Sequence, residues 1–181
     1  MNVYETNLDG VLEIVPQIFE DHRGHFFESF NECEFNRKCG TRVRFVQDNQ
    51  SRSIKDVLRG IHYQRMLPQG KLVRVLYGEI FDVAVDLRKS SSTFGGWYGT
   101  KLSVLNAKQL WIPEGFGHAF LVLSDFADVA YKTTKYYYPE YEDGIVWNDP
   151  TIGITWTIIS NPILSNKDER LPQLHEVFRG L

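Results

Sequence analysis

The hydrophobic pattern of this chain has a period of two over much of its length. Phe81, Val83, Val85 and Leu87 alternate with Ile80, Asp82, Ala84 and Asp86, while Ala127, Val129, Tyr131 and Thr133 alternate with Asp128, Ala130, Lys132 and Thr134. Alternation of this kind belongs to strands whose side chains point in turn to opposite faces of a sheet. Turn signals at Asp9-Gly10, Arg23-Gly24, Pro68-Gln69-Gly70, Gly78, Gly95-Gly96, Glu114-Gly115 and Asp143-Gly144 cut the pattern into short pieces. Many short strands joined by tight turns predict an all-β sandwich, jelly roll or barrel. One helix is expected from Glu32 to Lys38, with Asn31 capping it, Glu34 completing a capping-box-like pair and Gly40 ending it. Short helical turns are expected from Lys167 onward. No linker, low-complexity stretch or internal repeat divides the sequence, so residues 1–181 are expected to form one domain.

Composition narrows the classes further. An apolar content of 43% with 14% aromatic residues suits a chain with a full core. The net charge of -3 implies no basic face large enough for nucleic acid, so any phosphate site has to be local. Cys33 and Cys39 form neither a CxxC pair nor a disulfide framework and are expected to be reduced thiols. The start, Met1-Asn2-Val3-Tyr4-Glu5, lacks a basic region followed by an apolar core, and no apolar span reaches 18 residues. A cytoplasmic protein without a membrane partner is the expectation.

The chemistry concentrates between Phe45 and Arg74, where Gln47, Asp48, Asn49, Arg59, His62, Gln64, Gln69 and Lys71 lie among short apolar runs. Such a density of polar groups is costly in a core and reads as a site. An imidazole titrates near ~6.5, so His62 can move a proton at neutral pH. Lys71 stands at the mouth of the alternating strand Leu72-Val73-Arg74-Val75-Leu76, suited to a developing oxyanion or a phosphate. Arg59 adds a planar fork of donors matched to phosphate oxygens. A base with cations points to carbanion chemistry on an anionic substrate. Arg59 and His62 have opposite parity in a regular strand, so both can reach one pocket only through an irregularity, which Gly60 could host as a bulge.

The runs Phe45-Val46-Gln47-Asp48-Asn49, Val57-Leu58-Arg59-Gly60-Ile61-His62-Tyr63-Gln64, Gln69-Gly70-Lys71-Leu72-Val73-Arg74-Val75, Phe81-Asp82-Val83-Ala84-Val85-Asp86-Leu87-Arg88 and Trp111-Ile112-Pro113-Glu114-Gly115-Phe116 closely resemble the dTDP-4-dehydrorhamnose 3,5-epimerase family. Tyr131-Lys132-Thr133-Thr134, Trp147-Asn148-Asp149-Pro150 and Leu164-Ser165-Asn166-Lys167-Asp168 extend the resemblance, which runs from about Leu8 to Leu174. It implies a cupin-like jelly roll and a cofactor-independent epimerase that inverts C3 and C5 of a dTDP-4-keto-6-deoxyhexose through an enolate.

The resemblance also implies roles. His62 is the general base, oriented by Asp168; Tyr131 is the proton donor; Lys71 stabilises the enolate oxygen. A histidine beside a strand is by default more often structural, and Asp168 alone would read as a helix-start carboxylate. Position matching adds Arg23, Glu28, Gln47, Asp48, Asn49, Arg59, His118, Glu142 and Lys167 as substrate contacts. Arg23 and Arg59 suit the diphosphate, Gln47 and Glu28 the base. Within Tyr136-Tyr137-Tyr138, Tyr137 is favoured as the platform that stacks on the base, with Tyr138 as the alternative. Lys132, of opposite parity to Tyr131, is expected to be structural. The family further implies a homodimer whose N-terminal strand reaches the partner's site, so that Arg23 and Glu28 act in trans.

Pro113-Glu114-Gly115-Phe116-Gly117-His118 also fits the PxGxxH pattern of metal-binding cupins, but the matching region holds only His62. Two imidazoles without a third ligand make a weak site, so no metal is expected. Gly117-His118-Ala119-Phe120 departs from the Ala-His-Gly-Phe common in the family, which bears on sugar specificity. Two other classes stay open: an epimerase acting at one carbon only, and a non-catalytic sugar-nucleotide-binding jelly roll, which has no need of His62, Asp168 and Tyr131 together.

Overall fold

A computed structural model describes residues 1–157 and 161–178. Along the chain run β1 (Asn2–Glu5), β2 (Leu12–Val15), β3 (Phe19–Asp21), β4 (Gly24–Phe26), α1 (Glu32–Cys39), β5 (Gln47–Ile54), β6 (Leu58–Gln64), β7 (Lys71–Tyr77) and β8 (Glu79–Asp86). Then come β9 (Trp97–Ser103), β10 (Gln109–Ile112), β11 (Phe116–Val122), β12 (Phe126–Thr133), β13 (Glu142–Gly144) and α2 (Leu174–Val177). A six-stranded sheet in the order β1-β2-β10-β7-β12-β5 faces a five-stranded sheet in the order β13-β6-β11-β8-β9, and β3-β4 form a separate hairpin. The paired strands are antiparallel. This is a jelly roll, one of the all-β classes that the strand pattern predicts, in the cupin-like form that the family resemblance implies. None of the described helices is long and apolar enough to cross a membrane.

Both sheets are covered on both sides. Val73, Val75, Ile80, Ala84, Leu110, Phe116, Phe120 and Val129 fill the space between them. The alternate residues Leu58, Ile61, Phe81, Val83 and Val85 pack outward against Ile145, Ile152 and Leu174 of the C-terminal third. On the far side of the six-stranded sheet, Phe35 of α1 packs on Leu72, Trp111 and Ile14. Asp82 and Asp86 of β8 are therefore buried although polar. Asp86 is satisfied there by Arg88, Ser91 and Thr93.

The helix α1 begins as expected, with Asn31 accepting a hydrogen bond from the Glu34 amide at 3.2 Å, and ends at Gly40 with φ 64°. Only half of the expected capping box forms, because the Glu34 carboxylate turns to Arg37 at 2.7 Å. The turn at Asp168–Arg170 and α2 are the short helical pieces expected near the C-terminus; residues 179–181 lie outside the described residues.

The strand β6 carries the irregularity that the spacing of Arg59 and His62 requires. Against β11, His62 pairs with His118 and Arg59 with Phe120, so three steps on one strand match two on the other. Leu58 and Ile61, also three apart, consequently share the outer cluster, which leaves Arg59 and His62 on the inner side. Gly60 sits at φ 115°, and the Gly60–Ile61 peptide is cis. A Cβ at Gly60 would lie 2.5 Å from the His118 carbonyl oxygen and 2.6 Å from the Ala119 Cβ. Gly60→Ala is expected to destabilise the fold by about 1–3 kcal/mol, from the positive φ and the backbone contact together. Urea unfolding tests this; a change within about 0.5 kcal/mol, the range of an ordinary surface substitution, would mean that β6 can be rebuilt without the bulge.

Candidate active site

The polar residues from the Phe45–Arg74 stretch enter the inter-sheet space at one end of the sandwich. β5 is a strand almost without hydrophobic residues, and its burial alternates strictly. Gln47 and Asn49 point inward with Ser53, while Asp48, Gln50 and Arg52 point out. Tyr131 on β12 is paired with Asn49 on one side and Val73 on the other, and Thr133 with Lys71. On the opposite sheet His62 lies between His118 and Gly144. The two sheets thus bring Tyr131 and Lys71 to face His62 and His118.

His62 Nε2 is 2.5 Å from Asp168 Oδ1. Asp168 is 3% exposed, and its amide donates to Ser165 Oγ at 3.1 Å. Burial by itself raises its pKa, but the hydrogen bond and charge of His62, with further help from Ser165 and Lys167, bring it below the ordinary carboxylate value. The imidazole keeps partial solvent access at 26% side-chain exposure.

Lys71 has its pKa pushed down to about 8 by burial, against the opposing pull of the Asp82 and Glu142 carboxylates. Its Nζ lies 5.9 Å from the centroid of the Tyr131 ring. Burial, followed by the negative charge of Glu142, raises the Tyr131 phenol above its usual value while Arg59 opposes it, so the group keeps its proton at neutral pH. The His118 ring is 6.4 Å from the Tyr131 ring. His118 is 6% exposed, and its Nε2 is 2.7 Å from Asp82 Oδ1. Burial pushes its pKa down, with Asp82 opposing.

Around the mouth, Glu142 joins several groups. Tyr137 Oη donates to it at 2.7 Å and Lys167 Nζ pairs with it at 2.5 Å. These partners hold its pKa below normal although burial works the other way. Gln47 donates to Asn49 at 2.9 Å and accepts the Tyr137 amide at 3.0 Å. Buried Gln64 accepts the Tyr138 amide at 2.9 Å and donates to the Leu67 carbonyl at 2.7 Å, which anchors the tyrosine segment. Tyr138 packs on Tyr141, with ring centroids 5.6 Å apart, whereas half-exposed Tyr137 stands beside Glu142. Arg59 Nε donates to Ser53 Oγ at 2.9 Å.

The fold brings together His62, Asp168, Lys71, Tyr131, His118, Gln47, Asn49, Arg59, Tyr137, Glu142 and Lys167. Asp48 requires a correction: the pleat turns its side chain to the other face of the sheet, where it pairs with Lys132 at 2.9 Å and is 71% exposed. Lys132, also over the Phe30 ring at 4.9 Å, has the structural place its parity suggested. Arg23 and Glu28 stand apart from the chain's own site. Arg23 on the β3-β4 hairpin pairs with Asp21 at 2.6 Å and is 79% exposed, and Glu28 accepts from Asn31 at 3.2 Å. Sequence reasoning passed over Asp82 and Ser53 as site residues, and gave Gln64, named in the polar stretch, no role of its own. The signal for Asp82 was present, since it shares the inward parity of Ile80 and Ala84. Among the described residues, no group of three or more His, Cys, Asp or Glu is placed to hold a metal ion.

A jelly roll with a His–Asp pair, its carboxylate buried, facing a tyrosine and a lysine across its interior is the arrangement of a cupin-like isomerase. The family model for dTDP-4-dehydrorhamnose 3,5-epimerase matches residues 5–176. The chain is 55% identical over 180 residues to the dTDP-4-dehydrorhamnose 3,5-epimerase of Escherichia coli (strain K12), covering 99% of this chain and 97% of that protein. It is 54% identical over 174 residues to the protein of the same name from Methanothermobacter thermautotrophicus, covering 95% and 94%. Among solved structures, the dTDP-6-deoxy-D-glucose-3,5-epimerase of Legionella pneumophila Philadelphia 1, in complex with dTDP-4-keto-L-rhamnose, aligns with a TM-score of 0.94. That match has 50% identity and covers 96% of this chain and 93% of the other. The chain belongs to the dTDP-4-dehydrorhamnose 3,5-epimerase family.

The His62–Asp168 pair has a stability signature. A carboxyl lowered from 3.8 in the native state stabilises the fold above pH 3.8 and loses that contribution as pH falls through the lower native value. Asp168→Asn is therefore expected to flatten the acid limb of the stability curve below about pH 4, leaving other carboxyls to account for the remainder. Denaturant melts between pH 2.5 and 6 check this; an unchanged acid limb would show that the pair is unlinked to folding.

Proposed function

We infer that this chain epimerises a dTDP-4-keto-6-deoxyhexose, inverting C3 and C5 of dTDP-4-dehydro-6-deoxyglucose to give dTDP-4-dehydro-L-rhamnose. The observation that carries the reading is the His62–Asp168 pair at 2.5 Å, set across the sandwich from Tyr131 and Lys71. A 4-keto group acidifies the hydrogens on both neighbouring carbons, so one base serves both centres. With Nε2 donating to Asp168, His62 keeps its lone pair on Nδ1, and that nitrogen takes the proton. Asp168 holds the tautomer and stabilises the imidazolium that forms. The Lys71 ammonium stabilises the enolate oxygen, a contribution of about 2.7–4 kcal/mol for one such donor. The Tyr131 phenol, kept protonated by burial, returns a proton to the other face of the sugar.

Binding falls to the mouth in this reading. Arg59 and Lys167 meet the diphosphate, Gln47 and Asn49 hold the nucleoside, Tyr137 stacks on the base, and Glu142 and His118 make the remaining contacts. The chemistry uses no redox cofactor and no metal. A cytoplasmic place in deoxysugar biosynthesis belongs to the same reading.

The assembly is proposed as a homodimer in which the β3-β4 hairpin enters the partner's site. Phe19 and Phe26 on that hairpin are 55% and 71% exposed, an apolar surface that a second copy would cover, and Arg23 stands free of its own chain's site.

Proton NMR of dTDP-4-keto-6-deoxyglucose with the protein in heavy water should show deuterium entering at C3 and C5. Labelling at C3 alone assigns a mono-epimerase, and none at all favours a binding module. His62→Ala should abolish exchange at both carbons, with a loss of about 10²- to 10⁴-fold. Tyr131→Phe should keep exchange with retention at C5 while losing inverted product; undisturbed inversion would remove Tyr131 from the mechanism.

Complementation tests the dimer. Arg23→Ala and His62→Ala proteins should each be impaired at sub-saturating substrate. After subunit exchange, the mixture should recover roughly a quarter of wild-type activity, because half the dimers would carry one intact site. No recovery would return Arg23 to its own chain or leave the protein monomeric, and light scattering separates those outcomes.

A further inference from the structure

Tyr136, Tyr137 and Tyr138 lie between the end of β12 and the turn at Pro139–Tyr141, in a stretch that belongs to no helix or strand. Such a stretch has no ladder to satisfy its backbone groups, and here glutamine side chains do so instead. Gln69 Nε2 donates to the Lys135 carbonyl at 2.9 Å, and Gln64 Nε2 to the Tyr136 carbonyl at 3.3 Å. Gln47 Oε1 accepts the Tyr137 amide at 3.0 Å, and Gln64 Oε1 accepts the Tyr138 amide at 2.9 Å. Gln47 belongs to β5 of the six-stranded sheet and Gln64 to β6 of the five-stranded one, so the segment is held from both sides of the sandwich.

The two bonds that Gln64 makes to this segment bracket Tyr137, one on the residue before it and one on the residue after. A third goes from Nε2 to the carbonyl of Leu67 at 2.7 Å. Leu67 sits at φ 52°, a left-handed conformation that a leucine holds only where its surroundings fix it. A glutamine amide has two N–H donors and one oxygen. Both donors and the oxygen of Gln64 are engaged by backbone, and the residue is 5% exposed where Tyr137 is 46% exposed. Gln64 therefore has no donor left to offer a ligand.

We propose that Gln64 is the positioning residue for nucleotide recognition: it fixes the backbone on either side of Tyr137, while Glu142 holds the Tyr137 hydroxyl at 2.7 Å, so that the ring stands ready before the nucleotide arrives. This role rests on the reading of Tyr137 as the ring that stacks on the base. A platform ordered in advance spares the cost of ordering it on binding, so Gln64 acts on affinity and leaves proton transfer to His62, Lys71 and Tyr131.

Gln64→Met keeps the length of the side chain and removes its three hydrogen bonds. Calorimetry should show dTDP bound about three- to tenfold more weakly, the range for one side chain that has to be ordered on binding. Inorganic pyrophosphate should bind as it does to the parent, because it has no base to stack. At saturating substrate kcat should stay within about twofold of the parent while KM rises with the dTDP constant. Tyr137→Ala should weaken dTDP by about five- to a hundredfold, the range for one base on an aromatic ring. Adding Gln64→Met to that variant should cost less than about twofold more, since the platform it serves is gone. Unchanged dTDP affinity in Gln64→Met, an equal loss for pyrophosphate, or the same loss with and without Tyr137 would each overturn the proposal. Parent affinity in Tyr137→Ala would refute the platform reading itself and take the proposal with it.

Gln64→Glu covers the case in which Gln64→Met fails to fold. It keeps the shape and the acceptor for Tyr138, but at pH 8 a carboxylate has no hydrogen for the Tyr136 and Leu67 carbonyls, so dTDP should again weaken while pyrophosphate does not. Parent-like dTDP affinity there overturns the proposal. The parent protein gives a check without any variant: before ligand is added, the Tyr137 and Tyr138 amides should exchange with heavy water at least about tenfold more slowly than in an open chain. Exchange at the open-chain rate would show the segment unheld and overturn the proposal as well.

Discussion

The hydrogen bond between His62 and Asp168 joins two points 106 residues apart in sequence. It is also where the fold and the site become one problem. Asp168 sits on a short turn near the end of the chain, which reaches the five-stranded sheet because Ile145, Ile152 and Leu174 cover that sheet's outer face. Removing the C-terminal third from the sheet would expose Leu58, Ile61 and Val83 and at the same time separate His62 from Asp168. Hydrophobic burial of one face thereby fixes the electrostatics of the other.

The interior shows a gradient. Lys167, Arg59 and Tyr137 at the mouth are exposed, His62 and Lys71 are partly exposed, and Asp168, His118 and Asp82 are buried. Charges at the mouth are free to meet a ligand anion because water satisfies them in its absence. Deeper groups have no such alternative, so each depends on a protein partner or carries a shifted pKa. Both Asp168 and Lys71 have lowered pKa values, with opposite effects on charge: a carboxylate with a strong partner stays charged, and an amine short of partners approaches neutrality. Such separation of titratable groups within one cavity is how a single site can hold a base, an acid and an oxyanion cation near neutral pH.

Family membership and geometry constrain the reading from different sides. Family membership rests on the sequence, whereas the placement of Tyr131 and Lys71 on one sheet and His62 on the other is the geometry that the proposed proton transfer on two faces of a sugar requires. The β3-β4 hairpin has no comparable explanation within one chain. Its exposed phenylalanines are the surface that the proposed second copy would cover.

Much of this was legible in the sequence. The period-two pattern, the turn residues, the Asn31 cap and Gly40 stop, and the motifs around His62, Lys71 and Tyr131 determined the class of fold and the inner residues of the site, because they express local backbone chemistry and side-chain identity. The odd spacing of Arg59 and His62 even announced the bulge at Gly60. Other features depended on what lay on the other side of each strand. Asp48 sits within a motif shared with the family, yet the pleat sends it away from Gln47 and Asn49 to Lys132. The alternation of β8 did not tell whether Asp82 faces water or the interior, and both faces of the strand are covered. The pairing of Asp168 with His62 and the unshared oxygen of Asp82 were decided only by tertiary structure, because a sequence records which groups a chain carries, while their solvation depends on residues brought near from far along it.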